Sequence, residues 1–248
     1  MHNKDKKMKN TNFAVVMSTY VRPDGQTEIH LEKALNSLLK QTHKDWKIFL
    51  IGDKFEDEKL FQKMISKIPE GKIKAVNRPF APERDKYPPG SHKLWCSGGL
   101  SGVNYGIELA LEEGYEYVCV LDHDDFWHED HLKHFNTILE KNEDLVILAA
   151  RSFYGNNNAI LPQGSAVVGK GYIPQGQNVV KSSACIKWNA IESRFRDVFE
   201  ETGQEVPSDL DFWNRLAEEM KAKGYKGYLS SYITCYHIEE HAVLRGKG

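Results

Sequence analysis

The chain has 248 residues, a formal net charge of -2, and 40% hydrophobic and 27% charged residues. That length supports a sizeable core, in one large domain or two small ones, and the near-neutral balance argues against a nucleic-acid binder, which carries a basic excess or a basic face. Cys96, Cys119, Cys185 and Cys235 lie far apart, without the paired spacing of a zinc site or redox motif, so they read as reduced core residues of a cytoplasmic protein.

Residues 1–12 carry Lys4, Lys6, Lys7 and Lys9. The apolar run that follows, Phe13 to Met17, is too short for a signal-peptide core or a membrane span. A disordered basic tail with no integral membrane segment is expected. Strands are predicted at Phe13–Ser18, Trp46–Ile51, Ile73–Val76 and Tyr117–Leu121, where β-rich runs alternate with segments of helical period. Leu31, Ala34, Leu35, Leu38 and Leu39 fall on one helical face, and Leu60, Phe61, Met64, Ile65 and Ile68 form a second. A third helix is predicted from Leu100 to Glu112, with Gly114 placed to end it. This β-α-β-α repetition predicts right-handed crossovers, a mostly parallel sheet flanked by helices, and a ligand at the carboxyl ends of the strands.

Residues Asn77 to Gly99 interrupt the pattern with Pro79, Pro82, Pro88 and Pro89. They read as a long loop, packed through Tyr87 and Trp95, that forms a lid or acceptor wall. The strand Tyr117–Leu121 then ends in Asp122, His123, Asp124 and Asp125, three acids within four residues. Carboxylates clustered where a buried strand ends are a common way to hold a divalent cation against a phosphate, and a solvated turn or helix cap is the other common use of such acids. His123 should point away from its neighbours by the alternation of extended backbone. Further on, Leu132, Phe135 and Leu139 predict a helix, Leu145–Phe153 a strand, and Tyr154–Gln177 irregular surface structure. A last amphipathic helix buries Phe212, Trp213, Leu216 and Met220 and opens with Ser208 and Asp209.

Taken in order, these segments resemble family 2 glycosyltransferases of the GT-A fold over roughly Phe13 to His241. The resemblance implies one Rossmann-like α/β domain, with a nucleotide-binding half at 13–125 and an acceptor-binding half at 126–248. Ser18-Thr19-Tyr20-Val21-Arg22 is similar to the family's Pro-Thr-Tyr-Asn-Arg entry, with Ser18 for the proline and Val21 for the asparagine, which gives Thr19 and Tyr20 nucleotide contacts. Asp53, at the end of the second strand, takes the role of accepting a hydrogen bond from the base; a turn acid is its plainer reading. Gly102-Val103-Asn104-Tyr105-Gly106 resembles Ala-Arg-Asn-x-Gly, assigning Asn104 to the nucleotide while Val103 replaces the usual arginine. Lys93 or Arg84 is a candidate substitute for that cation.

Asp122-His123-Asp124-Asp125 resembles the family's Asp-x-Asp signature, with Asp122 on the ribose or a water at the metal and Asp124 on Mn²⁺ or Mg²⁺. Asp125 and Trp127 follow as auxiliary or acceptor residues. Pro207 to Leu216 resembles Glu-Asp-x-Asp-x-Trp-x-Arg-Leu, with Ser208 for the glutamate. Asp209 then takes the catalytic-base position and Asp211 an auxiliary one, although acids at a helix start also serve as caps. His237, or His241 four residues later, is the implied histidine at the metal or diphosphate.

The resemblance implies metal-dependent, inverting transfer of a sugar from a nucleotide-sugar, UDP by default with dTDP and GDP open, to a glycan or other hydroxyl-bearing acceptor. A sugar-phosphate nucleotidyltransferase would need a glycine- and basic-rich entry loop, and Ser18 to Gly25 offers Arg22 and one glycine. A non-catalytic or degenerate nucleotide- or carbohydrate-binding module is the alternative that the departures at Ser18, Val103 and Ser208 motivate.

Overall fold

The computed structural model describes residues 10–155, 159–163, 167–176 and 179–237. The tail lysines and His241 lie outside them. The sheet runs in the order β3-β2-β1-β4-β9-β6-β10-β5. Its strands are β1 (Phe13–Thr19), β2 (Trp46–Asp53), β3 (Ile73–Arg78), β4 (Tyr117–Val120), β5 (Phe126–Trp127), β6 (Leu145–Tyr154), β7 (Ala159–Leu161), β8 (Gly169–Tyr172), β9 (Ala184–Ile186) and β10 (Lys226–His237). Strands β3, β2, β1 and β4 are mutually parallel, as are β6 and β10. The antiparallel pairings all involve the short strands β5, β7, β8 and β9. The long ladders therefore make a mostly parallel sheet.

Side-chain alternation along β1 divides the core between the two faces. Phe13, Val15 and Met17 face α1 (Thr27–Leu39), α2 (Glu58–Ile65) and α6 (His131–Lys141), while Ala14 and Val16 face α5 (Leu100–Glu112) and α8 (Ser208–Lys223). Both buried clusters are continuous from the first strands to the last, so the molecule has one sheet with an apolar layer on each side. All four cysteines are buried and free. Among the described residues no helix is long and apolar enough to cross a membrane.

Two segments differ from the sequence expectation. Residues 77–99 are not an open loop: they form α3 (Pro82–Lys86) and α4 (His92–Ser97). Pro82 occupies the first turn of α3, where its missing N–H costs nothing, and the Ser91 hydroxyl caps α4 by accepting from Leu94 N at 3.2 Å. Each helix is too short to show a periodic apolar face, which is why periodicity missed both. Buried Glu83 fastens α3 to α5, accepting from Ser101 N at 3.0 Å and Ser101 Oγ at 2.9 Å. Tyr87 packs as expected, but Trp95 is 58% exposed. The other segment, 154–177, contributes β7 and β8, short additions too brief for strand alternation to register. A third short helix, α7 (Val198–Thr202), precedes α8.

Candidate active site

The carboxylates gather where β4 ends. Leu121 still belongs to the buried ladder, its N–H donating to Val16 O at 2.9 Å, and the chain then turns so that Asp125 N donates to Asp122 O at 3.0 Å. A 3₁₀ turn, Lys181–Ser183, lies directly against this loop. Asp122 N donates to Ser182 Oγ at 3.0 Å, and Trp127 Nε1 donates to Ser182 O at 2.6 Å. The two loops brace each other, and Trp127 is a buried part of the brace.

Each acid has a different environment. Asp122 pairs with Lys181 at 2.8 Å, the two side chains being 31% and 22% exposed. Asp124 Oδ2 lies 3.8 Å from the Arg22 guanidinium. Burial pushes its carboxyl up, but His123, His237 and Arg22 outweigh that and leave it below the ordinary range. Asp125 is buried and accepts from His237 Nδ1 at 2.6 Å. Burial raises its pKa to about 6 against the pull of His237. Burial lowers that of His237, but Asp125, Asp124 and Asp122 overcome it and bring the imidazole to about 9. His123 is buried beside these acids and meets the Tyr20 ring edge-on at 5.1 Å.

Helix α8 brings the acid from the far end of the chain. Ser208 Oγ donates to Cys96 O at 2.7 Å, seating the first turn of α8 on α4. Asp209, half-buried in that turn, accepts from Leu210 N at 2.8 Å. Its charge reaches Lys181, which also feels Asp122 and Asp125. Among the described residues Lys181 is bonded to Asp122 alone, and Asp209 acts on it only through its charge. Asp211 faces elsewhere: Arg196 grips it with bonds of 2.9 and 2.8 Å, and Arg215 adds one of 2.7 Å.

The expected base contacts lie at the ends of β1 and β2. Thr19 and Asp53 are buried, and Tyr20 is partly so. The Asp53 side chain is fully covered; it pairs with Arg78, accepts from Ser18 Oγ at 3.3 Å, and lies 3.9 Å from Arg84 Nε. Arg84 lies over the Tyr20 ring, 3.1 Å from its centre. Of the two cations considered for the position of Val103, Arg84 is thus turned to Tyr20 and Asp53, and Lys93 sits 3.7 Å from the centre of the Phe199 ring. Val103 itself is buried in the core. Asn104 Nδ2 donates to Phe195 O at 2.7 Å.

Sequence reasoning missed Lys181, Ser182 and the Arg78–Asp53 pair. Lys181 stands in an irregular stretch with no periodic signal, and only its chain neighbourhood with Ser182 and Ser183 marks a turn.

The donor atoms are compatible with a hard cation brought in with a phosphate. Among the described residues no three His, Cys, Asp or Glu side chains form a ready-made cage. Mg²⁺-like ions, however, commonly use one or two protein carboxylates together with substrate phosphates. Asp122 and Asp124 are partly accessible, and Thr19 Oγ1, Asn104 Oδ1 and Asp125 Oδ2 are buried here without hydrogen-bond partners. Buried polar atoms are rarely left so without a reason.

A sequence profile described as Glycosyl transferase family 2 matches residues 92–203. A protein of Acanthamoeba polyphaga mimivirus, described as uncharacterized glycosyltransferase R139, is 30% identical over 238 residues, 93% of this chain and 95% of its own length. Among solved structures, S. aureus TarS 1-349 in complex with UDP-GlcNAc is similar with a TM-score of 0.63 at 16% identity, over 93% of this chain and 59% of that one. The mannosyltransferase PcManGT from Pyrobaculum calidifontis, in complex with GDP-Man and Mn²⁺, has a TM-score of 0.55 at 13% identity, over 92% of this chain and 57% of that one. The chain therefore spans less than two thirds of either structure.

Proposed function

Because this chain belongs to glycosyltransferase family 2 and has the GT-A fold, we propose that it transfers a sugar from a nucleoside-diphosphate sugar to a hydroxyl acceptor with inversion, using Asp209 as the base. The observation that carries this reading is the acidic loop after β4, braced by Ser182 and paired with Lys181 at 2.8 Å, with the Asp209 charge acting on the same ammonium. This supports a base on α8 acting beside the acids that end β4.

Asp209 takes the acceptor hydroxyl's proton while that oxygen attacks the anomeric carbon, and the bond from that carbon to the β-phosphate oxygen breaks. The nucleoside diphosphate leaves with the bonding electrons. Attack opposite the leaving group inverts the centre. Mn²⁺ or Mg²⁺ would be held by Asp124, with Asp122 and His237 beside it, and would supply positive charge to the departing diphosphate. Asp125 orients His237 through the 2.6 Å bond. Thr19, Tyr20, Asp53 and Asn104 line the nucleotide side, with UDP as the favoured nucleotide; the UDP-GlcNAc of the TarS complex supports that choice. Trp127 braces the loop, and a glycan or other hydroxyl-bearing molecule is the acceptor.

Calorimetric titration of UDP, dTDP and GDP, each with and without Mn²⁺, tests the reading together with turnover. The expected result is metal-dependent binding of one nucleotide, lost in Asp124→Ala. Asp209→Asn should keep that binding and lose about 10²- to 10⁴-fold in turnover, the usual worth of a positioned base. Nucleotide binding in a wild-type protein that transfers no sugar from the matching nucleotide-sugar would favour a binding module instead.

A further inference from the structure

We propose that Lys181 is the chain's own ligand for the donor diphosphate, released to it when a metal ion takes over Asp122. The inference rests on the transferase reading above. The Lys181–Ser183 turn is a fixed platform: Ser182 and Ser183 are fully buried, Ser182 is bonded to Asp122 N and Trp127 Nε1, and Ser183 N and Oγ donate to Val180 O at 2.9 and 2.7 Å. From that platform the ammonium reaches Asp122 at 2.8 Å while remaining partly open to solvent.

Charge balance favours such a group. Asp122, Asp124 and Asp125 follow one another where β4 ends, and the Asp209 charge acts on the same ammonium, so a diphosphate brought among them meets repulsion that cations must offset. The nearby guanidiniums already hold other groups, although Arg22 also lies 3.8 Å from Asp124. Arg22 holds Asp24 at 2.7 and 3.1 Å, Arg78 holds Asp53, Arg84 covers Tyr20, and Arg196 grips Asp211. Lys181 is held by one accessible carboxylate that a divalent cation also attracts. Exchange is therefore neutral in count: the cation replaces the ammonium on Asp122, and the ammonium turns to phosphate oxygen.

This exchange has a signature that simple loss of structure lacks. Lys181→Met removes a competitor for Asp122, so Mn²⁺ alone should bind the variant more tightly than wild type. The same variant, with Mn²⁺ saturating, should bind the nucleoside diphosphate about 10- to 100-fold more weakly, the range of one hydrogen bond to a charged group. Lys181→Gln should behave as Met does, and Lys181→Arg should keep most of the nucleotide affinity.

The experiment is titration of Mn²⁺, and then of UDP, dTDP and GDP, into the full-length wild type and the three variants, with thermal midpoints recorded. Opposite changes in metal and nucleotide affinity at an unchanged midpoint establish the role. Unchanged nucleotide affinity in both Met and Gln variants overturns it, as does a parallel loss of metal binding, nucleotide binding and stability. A wild type that binds none of the three nucleotides overturns the transferase reading itself, and this inference with it.

Discussion

At the scale of single residues, Asp53 shows how one side chain can carry two demands. Its carboxylate is fully covered, pairs with Arg78, and has Arg84 3.9 Å away, so the folded state depends on its charge whatever ligand it meets. Asp53→Ala strands the buried Arg78 guanidinium and takes a neighbouring charge from half-buried Arg84, and removing one partner of a buried pair commonly costs about 3–5 kcal/mol. We expect a loss of that size in denaturant unfolding, alongside any loss of nucleotide affinity. A variant as stable as wild type but weaker in nucleotide binding would assign Asp53 to the base alone. The Asp122–Lys181 pair is different because both partners are partly open, which leaves the pair free to exchange partners at little cost to the fold.

At the scale of elements, close approach of α5 to β1 positions the nucleotide side. A Cβ on Gly106 would lie 2.6 Å from Val16 Cγ1 and 3.3 Å from Ile51 Cγ1, and a β-branched strand residue has few rotamers in which to yield. Gly106→Ala gains about 1 kcal/mol in helix propensity. The overpacking costs about 1–3 kcal/mol, so the balance favours destabilisation. Because α5 also carries Asn104, we expect a lower thermal midpoint together with weaker nucleotide binding; a rise in the midpoint would mean that the helix shifts freely. Helices α1, α5 and α8 were legible from the sequence because a buried face imposes its period on the residues, and strands β1, β2, β4 and β6 because burial on both faces makes them near-continuous apolar runs. Helices α3 and α4 were not, since two turns or fewer need no stripe and are held by single contacts such as Glu83 with Ser101. The acidic loop was legible as a motif. Its partner Lys181 was not, since it comes from a 3₁₀ turn sixty residues later with no motif of its own.

At the scale of the whole molecule, the two halves of the chain share one sheet through the β4-β9-β6 pairings. They are also clasped outside it. Gln41, at the end of α1, donates to His128 O at 2.8 Å and accepts from Leu132 N at 3.0 Å. His131 sits in this junction, stacked 4.2 Å from Trp127, 4.5 Å from Phe135 and bonded to Thr234 Oγ1 at 2.7 Å. Burial lowers its pKa from 6.5 to about 3, and the charges of His134 and His128 add to the shift. The unfolded chain therefore binds this proton first as pH falls below 6.5, so the stability contributed by neutral His131 is complete above that value and is lost progressively toward pH 3. The loss at pH 5 is about 2 kcal/mol by proton linkage. Because both halves share the sheet and the clasp, that loss should be felt by the whole molecule in a single transition. Denaturant unfolding followed by far-UV circular dichroism and by tryptophan emission should give coincident curves at pH 7 and pH 5, with His131→Phe losing about 2 kcal/mol less than wild type between them. Separate transitions for the two probes would mean that the halves fold independently despite the shared sheet, and an equal acid loss in the variant would place the responsible proton on another group.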